Sequence, residues 1–250
     1  MNFSIILASR ERPELLTNFI KSIKETTQNI NQVEVLVGID HDDLVTKKVA
    51  DKLSREYPFV KFNARHRSPL LNEDYLNWQY RSFSKGKYLI IGNDDIIFET
   101  KNWDAIIVDK LEKYLANKPD RIAYGYISDA LINRYSLGYC CFPLVTREGA
   151  DALNFAICPE YASWSSDIAI WKTYWASNRV CDLSEVMIKH ISIHSGLRER
   201  DSTNIHVQKL AAGFVEDPAM VEQHIQRLKR AIKKIARPEP ANLLEKVRNK

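Results

Sequence analysis

The stretch that decides the fold is KYLIIGNDDIIF, residues 87–98. Its short apolar run, 88–91, ends at a glycine, which is typical of a buried strand followed by a turn. Asp94 and Asp95 stand where that strand ends. Unpaired buried carboxylates are strongly unfavourable. The pair therefore indicates a cation site, and a divalent metal that bridges to phosphate oxygens suits it. A solvated turn is the alternative, because Asn and Asp are common turn residues.

The segments on either side of this stretch predict an α/β fold. Strand patterns occur at residues 3–8, 33–39, 59–62, 122–127, 139–145 and 186–194. Helical patterns occur at residues 13–23, 44–56, 70–83, 103–115, 147–155, 167–177 and 218–236. Alternation of the two predicts a Rossmann-like, mainly parallel sheet with covering helices. In such open sheets the ligand crevice lies at the carboxyl ends of the strands.

Size and composition are those of an ordinary globular protein. The chain has 250 residues, 45% of them hydrophobic and 27% charged, which allows one large domain or two small ones. We expect no membrane span, because no apolar run approaches ~20 residues. The N-terminus lacks the basic start and long apolar stretch of a signal peptide, so we expect a cytoplasmic protein. The four cysteines of the chain have no C-x-x-C spacing and are predicted to be reduced core residues.

Positive charge is concentrated near the C-terminus. Residues 221–250 hold nine Lys/Arg and three Asp/Glu, a surplus of +6, whereas the preceding residues carry a net charge of −2. This asymmetry suggests an anionic partner. The helix at 218–236 also has a single apolar stripe. The alternative is therefore that this stripe packs on the body and leaves the basic face in water.

Four segments together resemble the glycosyltransferases of the GT-A fold, close to glycosyltransferase family 2. In chain order they are SIILASRERPELL, VGIDHDD, IIGNDDIIF and WSSDIAIW. The first is similar to the family's opening strand and Arg-Pro turn, and the second to its Asp segment after the second strand. The third resembles its D-x-D metal motif, and the fourth its Glu-Asp segment at a helix start. The resemblance covers residues 3–194.

The resemblance implies an activity and a domain division. A GT-A domain would span residues 1–217, with a nucleotide-sugar-binding half at 1–100 and an acceptor-binding half at 101–217. A basic helical tail would follow at 218–250. The implied reaction is a metal-dependent transfer of a sugar from a nucleoside diphosphate sugar, with UDP favoured, to an acceptor hydroxyl with inversion. Mn²⁺ or Mg²⁺ would act as a Lewis acid on the departing diphosphate.

The D-x-D resemblance assigns the metal and part of the donor site. Asp95 and then Asp94 are the predicted metal ligands. The motif's usual first aspartate is Gly92 or Asn93 here, so Asn93 and Asp94 are assigned to the donor. The resemblance also implies that a late histidine is a further metal or diphosphate ligand, for which His194 is preferred to His190 because it lies nearer the strand end. The alternative is a structural histidine.

The opening segments are assigned to the nucleotide. The resemblance implies that Asp40 accepts a hydrogen bond from the nucleobase, and that Ala8, Ser9 and Arg10 line the same pocket. An N-cap of the next helix is the alternative for Asp40, a role that Asp42 or Asp43 also fits. Arg10 or Arg12 could instead form a surface ion pair.

The fourth segment is assigned to the acceptor side. The resemblance implies that Asp167 is the general base that takes a proton from the acceptor hydroxyl. Trp164 and Trp171 are predicted to stack on a sugar or a base. The alternative for Asp167 is again an N-cap. Residues 195–204 are predicted either to close over the diphosphate through Arg198 and Arg200 or to form a solvated loop.

The acceptor stays open at this level. The basic tail is compatible with a hydroxymethylated DNA base, which such an enzyme would flip out of the duplex. A glycan, lipid or protein acceptor is the alternative. A different function is a further alternative: a non-catalytic nucleic-acid-binding module on a degenerate GT-A scaffold. The incomplete D-x-D motif is the observation that supports it. A nucleotidyltransferase is disfavoured, because the loop after the first strand has no glycine.

Overall fold

The structure is a computed structural model that describes residues 1–129, 140–162, 165–193, 196–202, 205, 209 and 217–236. Within these residues eight strands form one sheet. The strands are β1 Phe3–Ala8, β2 Val33–Asp40, β3 Val60–Arg65, β4 Tyr88–Ile91, β5 Ile96–Phe98, β6 Tyr124–Ser128, β7 Leu144–Thr146 and β8 Val180–His190. Their order across the sheet is β3-β2-β1-β4-β7-β6-β8-β5.

The first half of the sheet is parallel and the second half is mixed. Strand β1 pairs in parallel with β2 and β4, and β2 with β3. Strand β7 is antiparallel to β4 and β6, β8 is parallel to β6, and β5 is antiparallel to β8. The carboxyl ends of β2, β1 and β4 therefore meet at one edge of the sheet, where open α/β folds bind ligands.

Helices cover both faces of the sheet, which confirms the predicted fold class. They are α1 Pro13–Thr26, α2 Leu44–Glu56, α3 Trp78–Ser82, α4 Trp103–Leu115, α5 Arg147–Leu153, α6 Ser166–Trp175 and α7 Pro218–Ala236. Alternate residues of β1 point to opposite faces. Ile5 and Leu7 join a core with α1, α2 and α4, whereas Ile6 joins a second core with α3, α5, α6 and α7.

Several boundaries differ from the sequence prediction because pairing between distant segments sets them. Strand β3 continues to Arg65, which pairs with Asp40. Strand β8 begins at Val180, six residues before its predicted start at 186, because its first residues pair with β6. The helix predicted at 70–83 begins as a π-helical segment, Leu71–Asn77. Buried Asn77 there donates a hydrogen bond to a backbone carbonyl 80 residues away.

Helix α7 packs on α5 and α6 through its apolar stripe. Val221, Ile225 and Leu228 are buried in the second core, whereas Ile235, near the end of the helix, is 45% exposed. His224 is buried too, and its Nε2 lies 3.1 Å from Glu160 Oε1. Across the described ranges, no helix combines the length and apolarity that crossing a membrane requires.

Replacement of His224 by alanine should loosen α7 from the body. The ring packs against Phe155 at 4.8 Å, so its removal leaves a gap and an unpaired Glu160. We expect the free energy of unfolding, measured by urea denaturation, to fall by about 1–2 kcal/mol. Gln223→Ala, at an exposed position of the same helix, is the control. Equal effects of the two changes would contradict the packing role of His224.

Candidate functional site

Four buried polar residues gather at the carboxyl ends of neighbouring strands. Strand β2 ends at Asp40, β1 is followed by Ser9, and β4 is followed closely by Asp94 and Asp95. Each of the four is at most 5% exposed. Buried polar groups require partners. The contacts of these four residues therefore define the candidate site.

Asp94 is held by the loop that joins β1 to α1. Its Oδ2 accepts a hydrogen bond from Ser9 Oγ at 2.7 Å, and its Oδ1 accepts one from Arg12 Nη1 at 3.1 Å. Burial raises the pKa of Asp94 to about 6, even though Arg12 favours the charged form. Because both oxygens already accept hydrogen bonds, Asp94 is less available to a metal than Asp95.

Asp95 is contacted by His190 at the end of β8 and by Arg198 in the segment that follows β8. Pairing of β5 with β8 sets Ile96 opposite His190, and this brings His190 Nε2 within 3.5 Å of Asp95 Oδ1. Arg198 Nη2 donates a hydrogen bond of 2.8 Å to Asp95 Oδ2. Burial acts to raise the pKa of Asp95, but His190, Arg12 and Arg198 together hold it below its usual value. Asp95 is therefore the more strongly ionised of the two carboxylates.

The surroundings of Asp95 fit a divalent cation. Its Oδ1 is buried and accepts no hydrogen bond from the described residues. The 3.5 Å to His190 Nε2 is long for a hydrogen bond, and it exceeds by about 0.5 Å the ~3.0 Å between neighbouring ligands that each lie ~2.1 Å from one octahedral ion. In the part of the chain that the structure describes, no three His, Cys, Asp or Glu side chains form a metal cluster. Phosphate oxygens and water would thus complete the coordination.

A segment from the carboxyl half of the chain covers the aspartate pair. Asp201 accepts two hydrogen bonds from Arg12, at 2.7 and 2.8 Å, and one from Arg198 at 2.7 Å. Arg12 and Arg198 contact Asp94 and Asp95 in turn. Arg198 and Asp201 therefore join this segment to the strand ends, whereas Arg200 is exposed and residues 195, 203 and 204 of the predicted segment lie outside the described residues.

Asp40 is buried, and both of its carboxylate oxygens have side-chain partners. Its Oδ2 accepts a hydrogen bond of 2.8 Å from Arg10 Nη1, and its Oδ1 accepts a short one from the Tyr75 hydroxyl. Arg10 also donates hydrogen bonds from both Nη atoms to the two carboxylate oxygens of Asp42. The N-cap of α2 is Asp43, which accepts from the backbone N–H of Thr46 at 3.0 Å. Asp40 thus does not cap the helix, and both of its carboxylate oxygens are held by the side chains of Arg10 and Tyr75.

Asp167 lies in the first turn of α6 and is half-buried. The N-cap position is Ser165, whose φ of 66° turns the chain sharply into the helix. Asp167 Oδ1 accepts from the backbone N–H of Ile168 at 2.9 Å. Burial raises the pKa of the Cys140 thiol, and the charge of Asp167 adds to that shift. Asp167 therefore lies near Cys140, which precedes β7 in the chain.

The remaining predicted residues have varied environments. Ala8 is half-buried at the end of β1, and Asn93 is exposed beside the aspartate pair. Trp171 is only 9% exposed and belongs to the second core, so its packing favours a structural role, whereas Trp175 is 58% exposed. His194 and Trp164 lie outside the described residues. The described histidine beside Asp95 is His190.

Two residues of the site were missed in the sequence. Tyr75 comes from the π-helical segment and reaches Asp40 because Gly38 leaves space; a Cβ there would lie 3.0 Å from the Tyr75 ring. Asp201 stands three residues after Arg198 in a polar stretch. That spacing is a weak signal of an ion pair, but it says nothing about Arg12, which is 189 residues away.

The fold is similar to that of proteins whose structures have been solved in complex with sugar nucleotides. S. aureus TarS 1-349 in complex with UDP-GlcNAc superposes with a TM-score of 0.60 at 13% identity, over 98% of this chain and 78% of that one. Mannosyltransferase PcManGT from Pyrobaculum calidifontis, in complex with GDP-Man and Mn²⁺, superposes with a TM-score of 0.58 at 10% identity, over 99% and 78%. No protein-family model and no curated protein sequence matches the chain.

These likenesses agree with the predicted resemblance at the level of the fold. Nearly the whole chain superposes, so the similarity includes both halves of the sheet and α7. At 10–13% identity such a likeness establishes architecture and leaves the activity to the residues at the site. The chain has a GT-A-like fold with a buried aspartate pair at the strand ends.

Proposed function

We propose that the chain is a metal-dependent glycosyltransferase that moves a sugar from a nucleoside diphosphate sugar to an acceptor hydroxyl with inversion. The observation that carries the proposal is the buried Oδ1 of Asp95, which lies 3.5 Å from His190 Nε2 at the carboxyl ends of the strands of a GT-A-like sheet. Its support is that a metal and a diphosphate together would satisfy this orphaned carboxylate oxygen. Structures of similar fold are solved with UDP-GlcNAc or with GDP-Man and Mn²⁺.

The nucleotide would lie across the ends of β2 and β1. Asp40 would accept from a ring N–H of the base, with UDP as the preferred nucleotide, and Arg10 and Tyr75 fix its carboxylate. Ala8 and Ser9 would line the pocket, and Ser9 also orients Asp94. The diphosphate would then lie next to Asp95, since β1 and β4 are neighbours.

The chemistry requires stabilisation of a leaving diphosphate and removal of a proton. Mn²⁺ or Mg²⁺, held by Asp95 and His190, would supply Lewis acidity toward the diphosphate. Arg12 and Arg198 lie beside this position and would neutralise further negative charge. Asp167 would take the proton of the acceptor hydroxyl as it attacks the anomeric carbon.

A donor screen tests the proposal. Thermal shift with UDP, GDP and their sugar derivatives, each with and without Mn²⁺, should identify a nucleotide that stabilises the protein in a metal-dependent way. Slow hydrolysis of the matching sugar nucleotide is then expected. Binding of DNA with no nucleotide binding and no hydrolysis would instead favour the non-catalytic module.

For the acceptor, we propose a polyanion, with a hydroxymethylated base in DNA as the specific case. The support is the charge of α7, whose exposed face carries Arg227, Arg230, Lys233 and Lys234 while its apolar side is buried. Neutralised phosphates make such binding strongly dependent on salt. A glycan, lipid or protein acceptor is the competing candidate.

Charge reversal at Lys233 and Lys234 should weaken DNA binding. Each lost phosphate contact reduces the slope of log affinity against log salt by ~0.9 on duplex DNA. We therefore expect a lower affinity and a slope reduced by about two units, measured with labelled duplex and single-stranded DNA across a salt series. The control is charge reversal at Lys48 and Lys52, which are exposed on α2. Equal effects at both pairs, or no DNA binding at low salt, would favour the other acceptors.

A further inference from the structure

One carboxylate sits between two arginines directly over the aspartate pair. Arg12 contacts both oxygens of Asp201, with Nε to Oδ2 at 2.7 Å and Nη2 to Oδ1 at 2.8 Å. Arg198 Nη1 donates to the same Oδ2 at 2.7 Å. The Asp201 carboxylate therefore accepts three charge-assisted hydrogen bonds from two guanidinium groups. This is the pattern by which arginines bind phosphate oxygens.

The aspartates at the strand ends hold the two guanidinium groups in place. Arg12 and Arg198 are each only 12% exposed, and each also contacts one of the strand-end aspartates. Asp201 is 34% exposed, so it is the outermost member of the group. An incoming anion would meet Asp201 first and would find both arginines behind it.

We infer that Asp201 is an internal competitor of the donor diphosphate: its carboxylate occupies the anion position between Arg12 and Arg198 and must leave before the donor binds there. The inference rests on the proposed function for the identity of the anion. A diphosphate offers more oxygens and more negative charge than one carboxylate, so it displaces Asp201 when it binds together with a divalent cation.

Besides the contacts of Asp201, single hydrogen bonds join this segment to the body. Ser202 Oγ donates to Glu11 Oε2 at 3.2 Å, and Arg198 Nε donates to the Ile191 carbonyl at 3.1 Å. Such hydrogen bonds contribute little net stability because folding exchanges them for hydrogen bonds to water, and they contribute more where charged groups pair. Donor binding would exchange the Asp201 contacts for phosphate contacts at the same two guanidinium groups.

Asp201→Asn tests the inference, because it removes the competing charge and keeps the size of the side chain. We expect inorganic pyrophosphate and UDP, titrated by calorimetry with and without Mn²⁺, to bind about 5- to 20-fold more tightly than to the unchanged protein. Glu199→Gln is the matched control, since it removes one negative charge from an exposed position in the same segment. Thermal unfolding without ligand verifies that both variants fold.

A double variant tests whether Arg198 is one of the arginines that bind the anion. Adding Arg198→Gln to Asp201→Asn should weaken pyrophosphate binding at least about tenfold relative to Asp201→Asn alone, because a charged donor is lost. Unchanged or weaker binding by Asp201→Asn, a gain equal to that of Glu199→Gln, or no pyrophosphate binding by any variant would overturn the inference. Sugar transfer without the Asp201→Asn gain would leave the proposed function intact. The gain without any sugar transfer would leave the inference standing and count against the function.

Discussion

Asp95→Asn should abolish the metal-dependent part of nucleotide binding. In the presence of Mn²⁺ we expect UDP affinity, measured by calorimetry, to fall by at least ~100-fold, since even indirect support of a metal ligand is worth 10- to 100-fold. The reason is that Asp95 Oδ1 is the buried carboxylate oxygen that faces His190 and accepts no hydrogen bond from the described residues. An amide there carries no charge with which to hold the cation.

The control is Glu99→Gln, an exposed carboxylate just beyond β5. It changes the net charge by the same amount at a point four residues from Asp95 and should leave UDP affinity unchanged. Without Mn²⁺, Asp95→Asn and the unchanged protein should bind UDP with similar weakness. Equal affinity of the two with Mn²⁺ present would rule out Asp95 as a metal ligand.

The aspartate pair was predictable because its signal is local. An apolar run that ends in Gly, Asn and two Asp residues marks both a strand and its carboxyl end, and the parallel pairing of β1, β2 and β4 follows from the alternation of strands and helices. Asp40 and Ser9 belong to the same edge for the same reason. The family resemblance added roles to positions that the strand pattern had already placed together.

Contacts between distant segments were not predictable from spacing. Arg198 is 103 residues from Asp95, and the two meet because the last strands return to the edge of the sheet. His190 reaches Asp95 only through the pairing of β5 with β8, and β5 is a three-residue strand with no pattern of its own. Register between distant strands depends on packing and turn geometry, which one sequence does not display.

Prediction of the site from the sequence was also limited where several similar residues stand next to one another. The sequence Asp40-His41-Asp42-Asp43 offers three carboxylates to one helix start, and any of them could serve as the N-cap. The cap is Asp43, which leaves Asp40 at the end of β2 with Arg10 and Tyr75 as partners. The choice depends on where β2 stops pairing with β3, a tertiary property.

Asp167→Asn should preserve donor binding and lower the rate of sugar transfer by ~10²-fold or more, the usual scale for loss of a general base. The carboxylate stands half-buried in the first turn of α6 and does not occupy the N-cap position. Asparagine keeps its shape but cannot accept a proton from the acceptor hydroxyl. We expect UDP affinity with Mn²⁺ to stay the same while turnover falls, which separates a base from a residue that positions the donor.

A negative charge in the first turn also stabilises a helix, so a purely structural role of Asp167 must be separated from catalysis. Glu148→Gln is the matched control, because Glu148 is an acidic residue in the first turn of α5. Both changes should lower stability by a similar amount, about 0.3–1 kcal/mol, whereas only Asp167→Asn should slow transfer. A base that acts from one side as the diphosphate leaves from the other requires inversion, so the product formed by the unchanged protein must have inverted anomeric configuration. A retained configuration, or equal turnover in the two variants, would mean that Asp167 supports the helix and that another group accepts the proton.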